Sequence, residues 1–442
     1  MLSALVIMNH FAPVNDCGAI PNTKLIKYLS KEDIQITLVT DEISPDATID
    51  EKLFPTELEH IRIIRVGHSH LYRATLGKTR EKITDNGVKL KMKSQTSPLR
   101  AKAVSLIKNT FFQLRTDDWM LTAKKHAVRE LVGQHFDVVY SSYPSVEAHF
   151  LAKKLMKMGI ADKWIADFRD PMCYVEHDKF RYQRSMRIQH NIERAADFVT
   201  VVSEGAMAKF LPEENNNKYA YIPNGFDPDD YLPVSSIGSS VGNVLRFFYA
   251  GSLYAGKRNF AVLFQAVSEL SQEGILDPTR IRIEYAGNEW PILLSYAKKY
   301  DLEKICVNYG YIPRSRVLEI MGDIDCSIVC SHNTAADRGV VTGKVFELLL
   351  VGKPILTVVT GNLPSSELGQ IVKECNAGLV YEEANSSADY PQLKQWLKSI
   401  YQEKISGEKL VPSINEAVRN RYSYESIAHQ LYNIMLSLKE KK

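Results

Sequence analysis

The sequence is poor in cysteine and places almost none of its cysteines close together. There are six among 442 residues, and only Cys326 and Cys330 are near each other, inside a mostly apolar run. The chain has no Cys-x-x-Cys pair and no histidine-rich cluster, which disfavours disulfides and a structural metal site. We therefore expect reduced thiols packed in a core and, with no secretory signal, a cytosolic protein.

Long apolar runs are also absent. No run approaches the roughly 18 to 20 apolar residues needed to cross a bilayer. The run Leu2 to Met8 is short, follows no basic segment and leads into a turn, which favours a buried first strand over a signal peptide. We expect a soluble protein or one bound peripherally to a membrane.

The first turn after that strand, residues 11–18, contains one glycine, Gly18, and no Gly-x-Gly-x-x-Gly pattern. This absence disfavours a nicotinamide-dependent oxidoreductase. From the sequence alone, an ordinary strand-to-helix turn is as good an interpretation as a ligand-binding loop.

Charge is balanced overall but uneven along the chain. The net charge is +3, yet the stretch from Leu71 to Thr110 holds ten basic and two acidic residues and so carries +8. A solvated loop explains such a stretch, and attraction to anionic lipid or to a pyrophosphate-bearing acceptor is the functional alternative. Because few aromatic side chains are interleaved for base stacking, we do not expect nucleic acid as a partner.

Apolar strands alternate with amphipathic helices along the whole chain, which predicts parallel sheets covered on both faces. The length exceeds what one core usually supports, so we expect two doubly wound α/β domains. We place the first at residues 1–235, a small polar linker at 232–242 and the second domain at 243–420. The amphipathic helix in 424–442 is expected to pack back on the first domain.

The predicted strands lie near residues 2–8, 34–39, 61–66, 137–141, 163–167 and 198–202 in the first domain, and near 246–251, 281–286, 305–309, 326–330, 355–359 and 378–381 in the second.

An apolar helix that begins near Gly343 carries one acidic residue, Glu347, one turn from its start. A carboxylate there needs a hydrogen-bonding partner, because an unpaired charge in such a place is costly. Gly352 and Pro354 are expected to end the helix and start the next strand. Glu347 either holds ligand hydroxyl groups or is a solvated or capping residue.

Two further segments place charges at strand ends. After the strand at 246–251, a glycine-flanked turn from Gly251 carries Lys257 and Arg258, which can neutralise a diphosphate through charge and backbone donors. After the strand at 163–167, the run Asp-Phe-Arg-Asp-Pro places Arg169 and Asp170 beside Asp167. A structural ion pair is the alternative interpretation of this second group.

Pairs of aspartates at 227 and 229, and at 323 and 325, match the spacing of a metal-binding Asp-x-Asp motif. Both lie at turns or helix-to-strand junctions, where aspartate is common for structural reasons. We therefore expect no metal and no cofactor.

Together these segments resemble the family 4 glycosyltransferases, specifically a bacterial branch with an Asp-Phe-Arg-Asp-Pro signature. The resemblance covers most of the chain and implies the GT-B architecture, with two Rossmann-like domains facing across a cleft that holds the active site. It implies that Lys257 and Arg258 bind the donor diphosphate and that Glu347, in a Lys344-x-x-Glu run, binds the ribose.

The resemblance also assigns loop residues. It implies that Gly18, Gly251 and Gly287 allow close approach to the donor, and that Tyr311 and Ile312 frame the nucleotide base. Arg169 and Asp170 would position the acceptor, with Asp170 as the best candidate base. The family's first acidic residue of a Glu-x7-Glu pattern falls at Gly339, where Asp337, Arg338 or backbone groups would take over its contacts.

The expected function is a retaining, metal-independent glycosyltransferase of surface polysaccharide or lipid-linked glycan assembly. Its substrates would be a nucleotide-sugar donor and a glycan or lipid-linked acceptor, and it would work in the cytoplasm, in peripheral contact with anionic membrane. A nucleotide-sugar 2-epimerase of the same architecture and a non-catalytic nucleotide-sugar-binding protein remain alternatives.

Overall fold

The computed structural model describes residues 1–45, 47–69, 116, 118–172, 179–207, 216–230 and 242–441. They form two α/β units, each built on a parallel sheet, which confirms the predicted fold class. The basic stretch at 71–110 and nearly all of the predicted linker at 232–242 lie outside the described residues.

Unit 1 comprises the described residues of Met1–Val201, Asn215–Ala220 and Ala428–Lys442. Its strands are β1 Leu2–Ile7, β2 Ile34–Asp41, β3 Arg62–Val66, β4 Phe136–Tyr143, β5 Ala161–Phe168, β6 Phe198–Val201 and β7 Tyr219–Tyr221. They are ordered β3-β2-β1-β4-β5-β6-β7. The helices are α1 Ala19–Leu29, α2 at residues 118–131, α3 Val146–Met156 and α4 Lys179–Ala195.

The central strands of unit 1 each contain an apolar run, such as residues 4–7 of β1, because both faces of the sheet are buried. In β1, Val6 pairs with Leu38 of β2 on one side and with Tyr140 of β4 on the other, in parallel register. The short strand β7 was not predicted. Its three residues are all half-buried, so it shows neither an apolar run nor an alternating pattern.

Unit 2 comprises the described residues of Val202–Glu214 and Tyr221–Ile427. Its strands are β8 Leu245–Ala250, β9 Ile281–Ala286, β10 Cys306–Gly310, β11 Cys326–His332, β12 Ile355–Thr360 and β13 Gly378–Glu382. They are ordered β10-β9-β8-β11-β12-β13. The helices are α5 Glu204–Met207, α6 Ala261–Gln272, α7 Trp290–Lys298, α8 Arg314–Asp323, α9 Lys344–Val351, α10 Glu367–Glu374, α11 Ser386–Ile405 and α12 Glu416–Asn420. The last helix, α13 Tyr424–Glu440, begins in unit 2 and belongs to unit 1 from Ala428 onward.

Strand β8 shows why the second sheet is covered on both faces. Phe247 and Tyr249 lie in one apolar core, and Phe248 and Ala250 lie in another. Successive residues of a strand point to opposite faces, so alternate side chains of β8 enter alternate cores. The order of the strands reverses between β8 and β11, and in wound sheets ligands bind beyond the carboxyl ends of the strands at such a point.

Residues 221–230, which the sequence analysis assigns to the first domain, belong to unit 2 in the structure. The reason is a pair of backbone hydrogen bonds: Phe226 N donates to Tyr422 O and Tyr424 N donates to Phe226 O, each at 2.9 Å. Phe226 is also buried in a core of unit 2. In α13, Lys439 Nζ lies 3.0 Å from Asp137 and His429 Nδ1 lies 3.0 Å from Glu32, both within unit 1.

Thiol burial follows the expectation only in part. Cys326, Cys330 and Cys375 are buried and Cys306 is half-buried, whereas Cys17 is exposed. The prediction of core thiols is therefore wrong for Cys17, because it lies in the polar turn before α1 and not in a strand. No helix in the described part of the chain combines the length and apolar character needed to span a membrane.

Candidate functional site in unit 2

Lys344, at the start of α9, reaches the end of strand β8 because residue 251 is a glycine. Gly251 has φ +130°, and a Cβ atom at this position would collide with the Lys344 ammonium group. Only glycine combines that backbone conformation with such a close approach. The sequence therefore brings a cation from α9 to the loop that follows β8.

Arg258 lies in the same loop and is half-buried. Its guanidinium carbon is 4.3 Å from the ring centre of Tyr254. Its Nε atom is buried and has no hydrogen-bond partner within the described residues. An unpartnered buried donor on a cation marks a place where an acceptor is missing from the protein itself.

Lys344 is the second cation of this site, and none of the described residues accepts a hydrogen bond from it. Burial lowers the pKa of Lys344, the nearby positive charge of Arg258 lowers it further, and Glu347 raises it. Lys344 and Arg258 repel each other because both are positively charged. An anion bound near them would be stabilised by both charges.

Glu347 follows one turn later in α9 and is already paired. Its Oε1 accepts a hydrogen bond from Arg314 Nε at 2.9 Å, and Arg314 Nη2 also donates to Asp230 at 3.1 Å. The sequence analysis correctly required a partner for this carboxylate but did not identify Arg314, which is 33 residues away. Oε2 of Glu347 accepts no hydrogen bond from the described residues.

The end of β11 contributes His332, which the sequence analysis did not single out. Its Nε2 lies 3.3 Å from Asp337 Oδ2, and its Nδ1 is buried without a partner in the described residues. Burial lowers the pKa of His332, with further lowering by Lys257 and Arg258. The predicted strand at 326–330 ended two residues before His332, so the available signal was a histidine just beyond a predicted strand end, where ligands gather.

The remaining predicted donor residues of unit 2 also follow carboxyl ends of strands. Gly287 follows β9 and donates its N–H to Gly310 O at 2.8 Å. Tyr311 and Ile312 follow β10, but they differ: Tyr311 is 83% exposed, whereas Ile312 packs against a core. Lys257 is exposed, and its carbonyl accepts a hydrogen bond from Thr360 Oγ1 at 2.8 Å.

Gly18 belongs to unit 1, whereas the other predicted donor-binding residues belong to unit 2. The N–H groups of Gly18 and Ala19 donate to Asp16 Oδ1 at 2.8 and 2.7 Å, and Asp16 Oδ2 lies 2.8 Å from His10 Nδ1. The backbone N–H groups of Gly18 and Ala19 are thus already used by Asp16. Aspartate side chains often accept hydrogen bonds from backbone N–H groups two residues later in a turn, and this local signal would have indicated the contact.

In the Asp-Phe-Arg-Asp-Pro run, Asp167 and Arg169 are paired with each other, whereas Asp170 is exposed. Asp167 is fully buried and accepts hydrogen bonds from Ser142 and Thr200, both at 2.7 Å, and from Arg169 Nε at 2.9 Å. Arg169 therefore forms the ion pair that was the alternative interpretation. Asp170 is exposed and hydrogen-bonds to none of the described residues, yet the surrounding protein raises its pKa by desolvation.

In the described part of the chain, no three His, Cys, Asp or Glu side chains converge. Asp323 and Asp325 serve other partners: Asp323 pairs with Arg246 at 2.8 Å, and Asp325 pairs with Lys404 at 2.8 Å. Both pairs lie at the amino ends of the unit 2 strands.

Comparison with solved structures shows full-length similarity at low sequence identity. The chain matches the sucrose-phosphate synthase of Thermosynechococcus elongatus at a TM-score of 0.60 and 14% identity, with 100% of both chains covered. It matches the E. coli trehalose-6-phosphate structure bound with UDP-2-fluoro glucose at 0.58 and 12%, with 99% of both chains covered. The chain has the GT-B fold.

A third GT-B match is a proposed UDP-N-acetylglucosamine 2-epimerase from Listeria monocytogenes, at a TM-score of 0.51 and 10% identity, covering 100% of this chain and 97% of that one. No family model matches the chain, and no curated protein matches it by sequence. Similarity at this level fixes the GT-B fold, and the chemistry depends on the site residues.

Proposed function

We propose that the protein is a glycosyltransferase that moves a sugar from a nucleotide-sugar donor to a glycan or lipid-linked acceptor. The observation that carries the proposal is the pair of cations Arg258 and Lys344 at the strand-order reversal of the unit 2 sheet. Among the described residues, Glu347 is the only carboxylate found to act on Lys344, and it is already paired with Arg314. One of the structures that the chain resembles is bound with UDP-2-fluoro glucose. Another is a proposed UDP-N-acetylglucosamine 2-epimerase.

The chemistry follows from charge. When the sugar leaves, negative charge accumulates on the diphosphate, and cations fixed in advance stabilise that charge more than they stabilise the bound donor. Arg258 and Lys344 would contact the diphosphate with Lys257, while the free Oε2 of Glu347 would accept a ribose hydroxyl. We propose a metal-independent reaction because three cations supply the compensating charge, and retention as the family resemblance implies.

The proposed setting is surface polysaccharide or lipid-linked glycan assembly at the cytoplasmic face of the membrane. It rests on the family resemblance and on the basic stretch in residues 71–110.

Binding and turnover test the proposal separately. Purified protein is titrated with UDP, ADP and GDP by calorimetry, and the corresponding nucleotide sugars are then incubated with and without acceptors while release of nucleoside diphosphate is followed. We expect one nucleotide to bind and to raise the melting temperature by mass action. We also expect acceptor-stimulated release from its sugar. If no nucleotide binds, the proposal is wrong.

A 2-epimerase is the second candidate, supported by the full-length match to the Listeria protein. It predicts conversion of UDP-N-acetylglucosamine to its 2-epimer without any acceptor. A non-catalytic binding protein, suggested by Gly339 in place of an acidic residue, predicts nucleotide binding with no release above background. NMR analysis of the nucleotide sugar recovered from the same incubations separates the last two, because only the epimerase changes the sugar, while acceptor-stimulated release identifies the transferase.

Asp170 is the proposed acceptor base. Asp170→Asn should lower transfer by roughly 100-fold or more, the usual contribution of a general base, and should leave nucleoside diphosphate affinity unchanged. Because desolvation raises the pKa of Asp170, wild-type transfer should decline on acidification at a higher pH than an ordinary aspartate would give. The matched control is Asp162→Asn, an exposed aspartate at the other end of β5. Early melting or lost nucleotide binding in Asp170→Asn would show that the residue is structural.

A further inference from the structure

The carboxylate of Glu289 lies inside the loop that carries Arg258. Oε2 accepts hydrogen bonds from Ser252 Oγ at 2.5 Å, Leu253 N at 2.6 Å and Tyr254 N at 3.1 Å, and Oε1 accepts from Ala255 N at 2.9 Å. Three consecutive backbone N–H groups thus converge on one side chain. This is the arrangement of an anion-binding nest, filled here by the protein's own carboxylate.

The loop needs this carboxylate because its backbone is strained. Tyr254 and Ala255 have φ values of 51° and 54°, in the left-handed region that non-glycine residues rarely occupy. Such conformations cost free energy and persist only where surrounding contacts hold them. Four charge-assisted hydrogen bonds to Glu289 supply those contacts.

Glu289 is itself anchored to the sheet. Its N–H donates to Tyr285 Oη at 3.0 Å, and Tyr285 Oη donates to Gly251 O at 3.0 Å. Burial alone would raise the pKa of Glu289, but hydrogen bonds from Ser252 and the three backbone donors more than offset this and lower it. The carboxylate is therefore ionised at neutral pH.

The strained loop determines where Arg258 lies. The Arg258 guanidinium lies over the ring of Tyr254, and the backbone N–H of Arg258 donates to Leu253 O at 3.0 Å. Both contacts involve residues whose backbone N–H groups bind Glu289. Lys257 N likewise donates to Tyr254 O at 3.1 Å. A shift of this loop would move both cations.

We propose that Glu289 is a positioning residue of the donor site, which fixes the 252–255 backbone so that Arg258 and Lys257 are held in place for an incoming diphosphate. It contacts none of the reacting atoms. This inference rests on the proposed function, since it assumes that the cations bind a diphosphate.

The test compares Glu289→Gln with Asp325→Asn. The glutamine keeps the shape but loses the charge and turns an amide toward donors that need an acceptor. Asp325 is a matched control because it is a buried carboxylate of unit 2 that accepts from Lys404 and Arg246 N, at the opposite, amino end of the strands. Both variants are examined for melting temperature, for amide hydrogen exchange and for UDP and pyrophosphate affinity by calorimetry.

In Glu289→Gln we expect the amides of residues 253–255 to lose protection and the dissociation constant to rise roughly tenfold or more, as for loss of a charge-assisted contact. Asp325→Asn should melt earlier yet keep the wild-type dissociation constant and loop protection. Unchanged protection of residues 253–255 in Glu289→Gln overturns the inference, and so does equal weakening of binding in both variants. If the wild type itself binds none of UDP, ADP, GDP or pyrophosphate, the proposed function fails instead, and the positioning role with it.

Discussion

Arg258→Ala is expected to lower kcat/KM for sugar transfer by roughly 100-fold or more, the scale seen when one preorganised charge-stabilising donor is removed. Arg258 is half-buried, rests on Tyr254 and has a buried Nε without a partner in the described residues. A cation held in this way needs no reorganisation when charge accumulates on the leaving diphosphate. Most of the loss should therefore fall on kcat.

Steady-state kinetics with the nucleotide sugar found in the binding screen measures this effect. Arg316→Ala is the matched control, because Arg316 is an exposed arginine of the same unit that pairs with Glu319. Arg258→Lys should recover only part of the activity, since an ammonium group cannot donate in the planar, forked geometry of guanidinium. Wild-type turnover in Arg258→Ala would remove Arg258 from the proposed site.

Acidification is expected to destabilise unit 1 through His149. This histidine is fully buried on α3, where its Nδ1 lies 2.8 Å from Ser141 Oγ, which accepts a hydrogen bond from Trp164 Nε1 at 2.7 Å. Burial lowers the pKa of His149 to about 3. In the unfolded chain the ordinary value is about 6.5.

The sign follows from proton binding. At pH values between the folded and unfolded pKa of His149, the unfolded state binds a proton that the folded state does not bind. The free energy of unfolding therefore decreases as the pH falls through that range. One such proton contributes about 1.4 kcal/mol per pH unit. The contribution of neutral His149 to stability is complete above the unfolded pKa and decreases as the pH falls toward the folded pKa. Because the two pKa values are far apart, we expect this to be the largest single-residue effect on stability.

Urea unfolding followed by tryptophan fluorescence at several pH values between 7 and 4 measures the slope. His149→Asn, which keeps an acceptor near Ser141, should be less stable at neutral pH but should lose stability less steeply on acidification. His135→Asn, at an exposed histidine of the same unit, should keep the wild-type slope. An unchanged slope in His149→Asn would show that other groups control the acid response.

Several contacts within the candidate site could not be read from the sequence. Glu289 is 36 residues from Leu253, and Arg314 is 33 residues from Glu347. No local pattern links such pairs, because each is created by parallel strands that bring successive loops to one edge of a sheet. The hydrogen bonds from Gly18 N and Ala19 N to Asp16 are the opposite case, because they are local and an aspartate in a turn is a signal that the sequence shows.

The sequence by itself determined the two wound sheets and indicated several residues of the candidate site in unit 2. Continuous apolar runs specify buried parallel strands, and Gly352, at φ +71°, ends α9 where glycine predicted it. Lys257, Arg258 and Glu347 could be found because each stands at a fixed offset from a strand or a helix start. Only the tertiary structure decided which charges are already paired. Arg169 pairs with Asp167 and Arg314 pairs with Glu347, whereas Lys344 lies near Arg258, which has the same charge. Pairing depends on side chains meeting across separate elements, and a sequence records their spacing along the chain but not their distance in space.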